Sequence, residues 1–213
     1  MIRNSRLILA LDVLSEEKAL SLASALKDRI DYVKVGYPLI LAAGLDIVGE
    51  ISSMAPVIAD LKIADIPNTN TLISEQVLEA GAAGIIAHAF AGRDSLSACV
   101  NVAREYGALA FAVTEMSHPG AVEFMAPAAE RLARVAKECD VDGVVAPATR
   151  PERIRLIRSI VGERAIISPG VGAQGGSPRA ALAAGADSLI VGRSITESPN
   201  PAASVDAILR EIQ

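Results

Sequence analysis

The sequence predicts an α/β fold, a single (β/α)8 barrel spanning residues 1–213. Three observations predict it. Short apolar, β-branched runs alternate with longer amphipathic segments, eight of each. The strand-like runs are apolar almost throughout, so both faces of the sheet are expected to be buried beneath helices, as in a parallel sheet. An internal echo favours a closed barrel of two similar halves over an open sheet. Ala80-Gly81-Ala82-Ala83-Gly84-Ile85-Ile86 resembles Ala184-Gly185-Ala186-Asp187-Ser188-Leu189-Ile190, about half the chain later, which maps the fourth strand onto the eighth. At 213 residues the barrel is a lean one.

The strands are expected to begin near Leu7, Tyr32, Val57, Gly84, Leu109, Gly143, Ala165 and Ser188. Helical segments lie between them, among them Ser15 to Lys27, Asn70 to Ala80, Asp94 to Tyr106, Pro127 to Lys137 and Pro151 to Ile160. Ser15 is an N-cap followed by acids in the first turn, and Pro151 suits a first helical position. No linker or low-complexity segment divides the chain.

Composition excludes several classes. The chain is 51% hydrophobic but lacks Trp and is poor in aromatics, so its core is aliphatic. A net charge of −5, with no basic stretch interleaved with aromatics, argues against nucleic-acid binding. Mean hydropathy is +0.38, yet charged or polar residues break every apolar run well short of a membrane span. Leu7-Ile8-Leu9-Ala10-Leu11 meets Asp12 at once, too soon for a signal peptide. Cys99 and Cys139 lack metal-type spacing and read as small buried hydrophobes in a reducing cytoplasm.

The chemistry concentrates in Asp60-Leu61-Lys62-Ile63-Ala64-Asp65, at the end of an apolar strand. Alternation puts Asp60 and Lys62 on one face. The chain has five lysines and fifteen arginines, yet Lys34 and Lys62 both lie inside hydrophobic runs. A buried lysine demands a paired acid. A structural ion pair would meet that demand, but two inward lysines with two acids beside one of them point to a built site. Asp12, Lys34, Asp60 and Lys62 fall at the ends of strands one to three, where barrel enzymes place their sites. The loops after strands seven and eight, Ser168-Pro169-Gly170-Val171-Gly172-Ala173-Gln174-Gly175-Gly176 and Val191-Gly192-Arg193-Ser194, suit a phosphate. Their glycines would let backbone N–H groups approach an anion, and Arg193 offers paired donors. Gly170, Gly172 and Gly175 also match G-x-G-x-x-G, but near the chain end, without a second nucleotide-binding half, so NAD is discounted.

Thr114-Glu115-Met116-Ser117-His118-Pro119-Gly120 reads as a polar loop able to cover a ligand, with Ser117 available to a polar ring. His88 and His118 read as structural. Asp46, Glu50 and the Arg153-Arg155-Arg158 set read as solvated helix faces.

Together these motifs resemble the orotidine 5′-phosphate decarboxylase family, with the short loops of its archaeal type. The resemblance rests on Leu9-Ala10-Leu11-Asp12, Val33-Lys34-Val35-Gly36, Asp60-x-Lys62-x-x-Asp65-Ile66-Pro67-x-Thr69, Met116-Ser117-His118-Pro119-Gly120, Pro169 to Gly176 and Val191-Gly192-Arg193-Ser194. It implies a cytoplasmic lyase of pyrimidine (UMP) biosynthesis, converting orotidine 5′-monophosphate to UMP and CO2 without metal or organic cofactor. By the resemblance Lys62 is the proton donor, and Lys34, Asp60, Lys62 and Asp65 form an alternating-charge array. Asp12 and Lys34 would bind ribose hydroxyls. Ser117 and Gln174 would meet the pyrimidine, and Gln174, Gly192 and Arg193 the phosphate, with Pro169, Gly170, Val171 and Gly172 shaping that loop. Asp65 and Thr69 would complete the neighbour's site in a homodimer, and Ile66 and Pro67 would also bind substrate. Two alternatives stay open. Mg2+-dependent hexulose-phosphate synthases and keto-gulonate-phosphate decarboxylases carry the same Asp-x-Lys-x-x-Asp, but with an acidic ligand where this chain has Lys34. A non-catalytic phosphosugar- or nucleotide-binding barrel would need no buried lysine.

Overall fold

A computed structural model describes residues 5–212. Eight parallel strands close in sequence order: β1 Leu7–Leu11, β2 Tyr32–Gly36, β3 Val57–Ile63, β4 Gly84–His88, β5 Leu109–Val113, β6 Gly143–Val145, β7 Ala165–Pro169 and β8 Ser188–Val191. Closure is made by β8 against β1, with Ile8 opposite Ile190. All eight strands start at the residues expected from the sequence.

Alternation along each strand divides the apolar residues into two layers. Ile8, Ala10, Ile58, Ile86, Phe111, Val113, Val145, Ile167 and Ile190 fill the barrel interior. Leu7, Leu9, Leu11, Val33, Val35, Val57 and Ala59 face outward, into the larger core beneath the helices. Phe111 is the one aromatic among these nine buried residues, and Gly143 sits opposite it on β6. A Cβ at Gly143 would lie 2.8 Å from the ring and 2.5 Å from the Ala165 carbonyl, so this layer closes only around a glycine.

The helices are α1 Glu16–Leu26, α2 Tyr37–Ala43, α3 Ile47–Ser52, α4 Pro67–Glu79, α5 Arg93–Glu105, α6 Ala121–Glu138, α7 Pro151–Val161, α8 Pro178–Ala183, α9 Arg193–Thr196 and α10 Pro201–Ile212. Eight helices were expected; the described residues form ten, plus a 3-10 turn at Ala89–Ala91. The connections after β2 and β8 are each broken into two helices, the first at Gly44 (φ +87) and the second before Pro201. Ser15 caps α1 as expected, its hydroxyl accepting from the Lys18 N–H.

Two expectations are corrected. Helix α6 begins at Ala121, not Pro127, so Pro127 lies inside it. A proline can enter a helix only by giving up the backbone bond to the residue four before it, here the Glu123 carbonyl. The arginines of α7 are not one solvated face. Positions 153, 155 and 158 cannot align at 3.6 residues per turn. Arg155 is exposed, whereas Arg153 pairs with Glu115, and Arg158 binds Asp187 and the Gly185 carbonyl.

Candidate active site

The C-terminal ends of the strands open into a cavity of about 960 Å3, the size range of small-molecule sites. Its polar wall is built from β1 to β3. Asp12 follows β1, Lys34 lies two residues before the end of β2, and Asp60 and Lys62 lie on β3. All four line the cavity. Gly36 allows the close approach here, since a Cβ on it would stand 3.1 Å from the Asp12 carboxylate.

The four side chains form one network. Lys62 Nζ donates to both Asp60 oxygens, at 2.9 and 2.8 Å. Lys34 Nζ stands 3.0 Å from Asp60 Oδ2 and 3.4 Å from Asp12 Oδ1. Asp60 and Lys34 are almost fully buried, while Lys62 is 36% exposed towards the cavity. Burial alone would raise the Asp60 pKa, but the ammonium groups of Lys34 and Lys62 outweigh it and hold the carboxyl below its ordinary value. Burial alone would lower the Lys34 pKa, but Asp60 and Asp12 hold it above the lysine range. Asp60 and Lys34 therefore stay charged at neutral pH. Removing Asp60 would leave the buried Lys34 ammonium with Asp12 alone, at 3.4 Å, a loss on the scale of about 3–5 kcal/mol.

Lys62 reaches this position through an irregular backbone. Its φ is +44, and the pairing of β3 with β4 shifts register between Ala59 and Ile63. His88, at the end of β4, has a buried Nδ1 with no hydrogen-bond partner among the described residues. Burial and then Lys62 push its pKa down, so the imidazole is neutral at pH 7.

The opposite wall comes from the loops after β5, β7 and β8. Ser117, Pro169, Gly170, Val171, Gln174, Gly192 and Arg193 line it. Ser117 Oγ donates to Gln174 Oε1 at 2.8 Å, linking two loops. The Arg193 guanidinium has no hydrogen-bond or ion-pair partner among the described residues. The glycine-rich loop uses part of its backbone on itself. Gly170, Gly172 and Gly175 take φ of +100, +72 and +89, which glycine adopts freely. Their N–H groups do not all wait for an anion. Gly172 donates to the Gly176 carbonyl, Gly175 to Gly172, Gly176 to Gly170, and Ala173 to Ser194 Oγ. These bonds shape a turn, and the Gln174 and Arg193 side chains line the cavity beside it.

Asp65, Ile66, Pro67 and Thr69 do not line this cavity. Asp65, Ile66 and Pro67 are exposed at the start of α4. Their turn is held by Asn70, which is fully buried and which the sequence reading passed over. Asn70 accepts from the Asp65 N–H and donates to Ser95, whose hydroxyl returns to the Asp65 carbonyl. Among the described residues, no group of three or more His, Cys, Asp or Glu side chains is placed to hold a metal ion, and no helix is long and apolar enough to cross a membrane.

The model of the family described as orotidine 5′-phosphate decarboxylase / HUMPS matches residues 5–208. The chain belongs to this family. A relative from Methanococcoides burtonii, named orotidine 5′-phosphate decarboxylase, is 58% identical over all of this chain and 99% of its own length. Another from Methanosarcina mazei, with the same name, is 56% identical over all of this chain and 97% of its own. Within the family, the solved orotidine 5′-monophosphate decarboxylase from Methanocaldococcus jannaschii, complexed with the inhibitor BMP, has a TM-score of 0.93 at 45% identity. The match covers 97% of this chain and 98% of that one. The structure from Pyrococcus horikoshii OT3 gives 0.89 at 47%, with the same coverage.

Missed in the sequence was a second charged cluster in the family fold. Glu115 is fully buried, and its two oxygens accept from Arg150 Nε at 3.0 Å and Arg153 Nε at 2.7 Å. A charged residue directly after a buried strand was the available clue.

Proposed function

We propose that this chain is an orotidine 5′-monophosphate decarboxylase, a carboxy-lyase yielding UMP and CO2 without a cofactor. The observation that carries it is the buried Lys34–Asp60–Lys62 array at the mouth of the barrel, where two ammonium groups share one carboxylate. Full-length relatives at more than half identity bear that name.

The reaction breaks the bond between C6 of the pyrimidine and its carboxylate, leaving the electron pair on C6. That carbanion lies in the ring plane and is poorly delocalised, so it needs an adjacent positive charge. In our reading Lys62 supplies the charge and then its proton, forming the C6–H bond as CO2 departs. Its amine regains a proton from solvent. Asp60 holds the ammonium in place beside the departing carboxylate. Lys34 and Asp12 bind the ribose hydroxyls, Ser117 and Gln174 the ring, and Gln174, Gly192 and Arg193 the phosphate.

Asp65 and Thr69 complete the site of a second copy, with Ile66 and Pro67 beside them, in a cytoplasmic homodimer. The exposure of Asp65, Ile66 and Pro67, away from their own cavity, supports this reading. So do exposed apolar side chains at Ile66, Leu72 and Phe90. The free, buried Cys99 and Cys139 fit a reducing compartment.

The test is release of CO2 from orotidine 5′-monophosphate after exhaustive chelation. Full activity is expected. Activity lost in EDTA and restored by Mg2+ would overturn the cofactor-free reading, since a lysine at position 34 repels a divalent cation.

A further inference from the structure

The segment between β5 and α6 carries Ser117 and lies over the cavity, yet it has no regular structure of its own from Thr114 to Gly120. Its anchorage comes from the next unit of the barrel. Arg150 donates from Nε to Glu115, from a terminal nitrogen to the Met116 carbonyl at 2.6 Å, and at longer range to the Ser117 carbonyl. Thr149 Oγ1 also donates to the Ser117 carbonyl, at 3.2 Å. Arg153 donates from Nε to the other Glu115 oxygen and from a terminal nitrogen to the Ala126 carbonyl at 2.7 Å. One buried carboxylate thus orients two guanidinium forks. One fork grips the segment where it leaves β5. The other holds the Ala126 carbonyl inside helix α6, one residue before Pro127.

We propose that Glu115, Arg150 and Arg153 are a positioning unit for the decarboxylation, setting Ser117, and through it Gln174, at the distance the pyrimidine requires. The inference rests on the functional reading above. A stability role alone would not require this layout. Arg150 lines the cavity itself, and its grip falls on the two carbonyls flanking the Ser117 N–H, not on distant backbone. A planar fork suits the task because it can hold the carboxylate and a carbonyl at once; an ammonium is a single point of charge. The unit also connects the ring-binding side to the phosphate side, since among the described residues the Ser117 side chain bonds to Gln174 alone.

The experiment is a double-mutant cycle between Arg150→Met and Ser117→Ala, with kcat and KM for orotidine 5′-monophosphate and an unfolding midpoint for each protein. Arg150→Met should lower kcat/KM roughly 10–100-fold in the wild-type background, the scale of one or two charge-assisted hydrogen bonds. In the Ser117→Ala background the same change should cost less than about 3-fold, because its effect runs through a side chain already absent. The loss should appear in both kcat and KM, whereas a smaller folded fraction would lower kcat alone. If Arg150→Met does not fold, Arg150→Lys carries the same cycle, keeping the charge while losing the fork. Losses that multiply, or that follow the unfolding midpoint with KM unchanged, overturn the proposal. A folded wild type that releases no CO2 instead overturns the functional reading.

Discussion

The two walls of the cavity differ in how much is finished before a ligand arrives. On the β1–β3 side, every charged group is satisfied within the fold, the lysines lying 2.8 to 3.0 Å from one carboxylate. On the β7–β8 side, Arg193 stands exposed and unpartnered among the described residues, and Gln174 holds only Ser117. Solvation explains the contrast. A buried charge without a partner costs several kcal/mol, so the reacting groups must be paired by folding itself. A guanidinium at the rim is solvated by water and can be left open for an incoming anion at little expense. The β1–β3 wall is therefore built by folding, and in our reading the β7–β8 wall is completed by the ligand.

Breaking the built side should have the largest effect. Lys62→Ala should fold, bind UMP, and lose at least about 10³-fold in kcat, since proton donation alone is worth ~10²–10⁴ and the lost charge adds to it. Steady-state assays retaining more than a tenth of wild-type turnover would remove Lys62 from its role. Asp65→Asn should also be crippled. Mixing it with Lys62→Ala should restore part of the activity through heterodimers with one intact site. No recovery despite verified subunit exchange would place Asp65 in its own subunit's chemistry, or in none.

The open side should give a smaller and more selective effect. Arg193→Ala should lower kcat/KM for orotidine 5′-monophosphate by roughly 10–150-fold. Turnover of the nucleoside orotidine, which has no phosphate to hold, should hardly change. Added phosphite should activate the wild type towards orotidine more than it activates the variant. An equal loss on both substrates would make Arg193 structural. The comparison is sharpened by titration. Asp60 has its pKa lowered, so its contribution to stability is present above the ordinary value of 3.8 and is lost as pH falls through the lower folded value. Lys34 has its pKa raised, so its contribution is present below 10.5 and is lost as pH rises through the higher folded value. A carboxyl-resolved NMR titration of the folded protein should find Asp60 still ionised at pH 3.8. A midpoint at or above that value would mean that burial outweighs the two lysines.

The barrel was legible because short, apolar, β-branched runs alternate eight times with longer amphipathic segments. The built wall was legible for a related reason: a lysine within an apolar run is a local anomaly. The Glu115 cluster was not, because its partners lie 35 and 38 residues away, one just before α7 and one on it, and the arginines of that helix look solvated when read alone. Asn70 was hidden similarly, since a polar residue in the first turn of a helix announces nothing about the Ser95 it meets 25 residues later. The glycine-rich loop was legible only in part. Its composition reports backbone freedom, but which N–H groups remain available depends on bonds within the turn. The roles of Asp65 and its neighbours rest on a second copy, beyond what one chain's geometry displays.

The φ of +44 at Lys62 has a consequence for evolution under a stability constraint. A left-handed backbone costs an L-residue about 1–2 kcal/mol, and glycine escapes that cost. At most positions glycine is less stable than alanine by roughly 0.5–1 kcal/mol. Here the order should reverse. Both Lys62→Gly and Lys62→Ala remove the ammonium, so their difference isolates the backbone, and denaturant unfolding should favour glycine by about 1 kcal/mol. Selection for robustness alone would then drift this position towards glycine. A lysine held there against that drift would be maintained by turnover, a preference that a library sorted first for folding and then for activity would expose as two opposing enrichments at one codon.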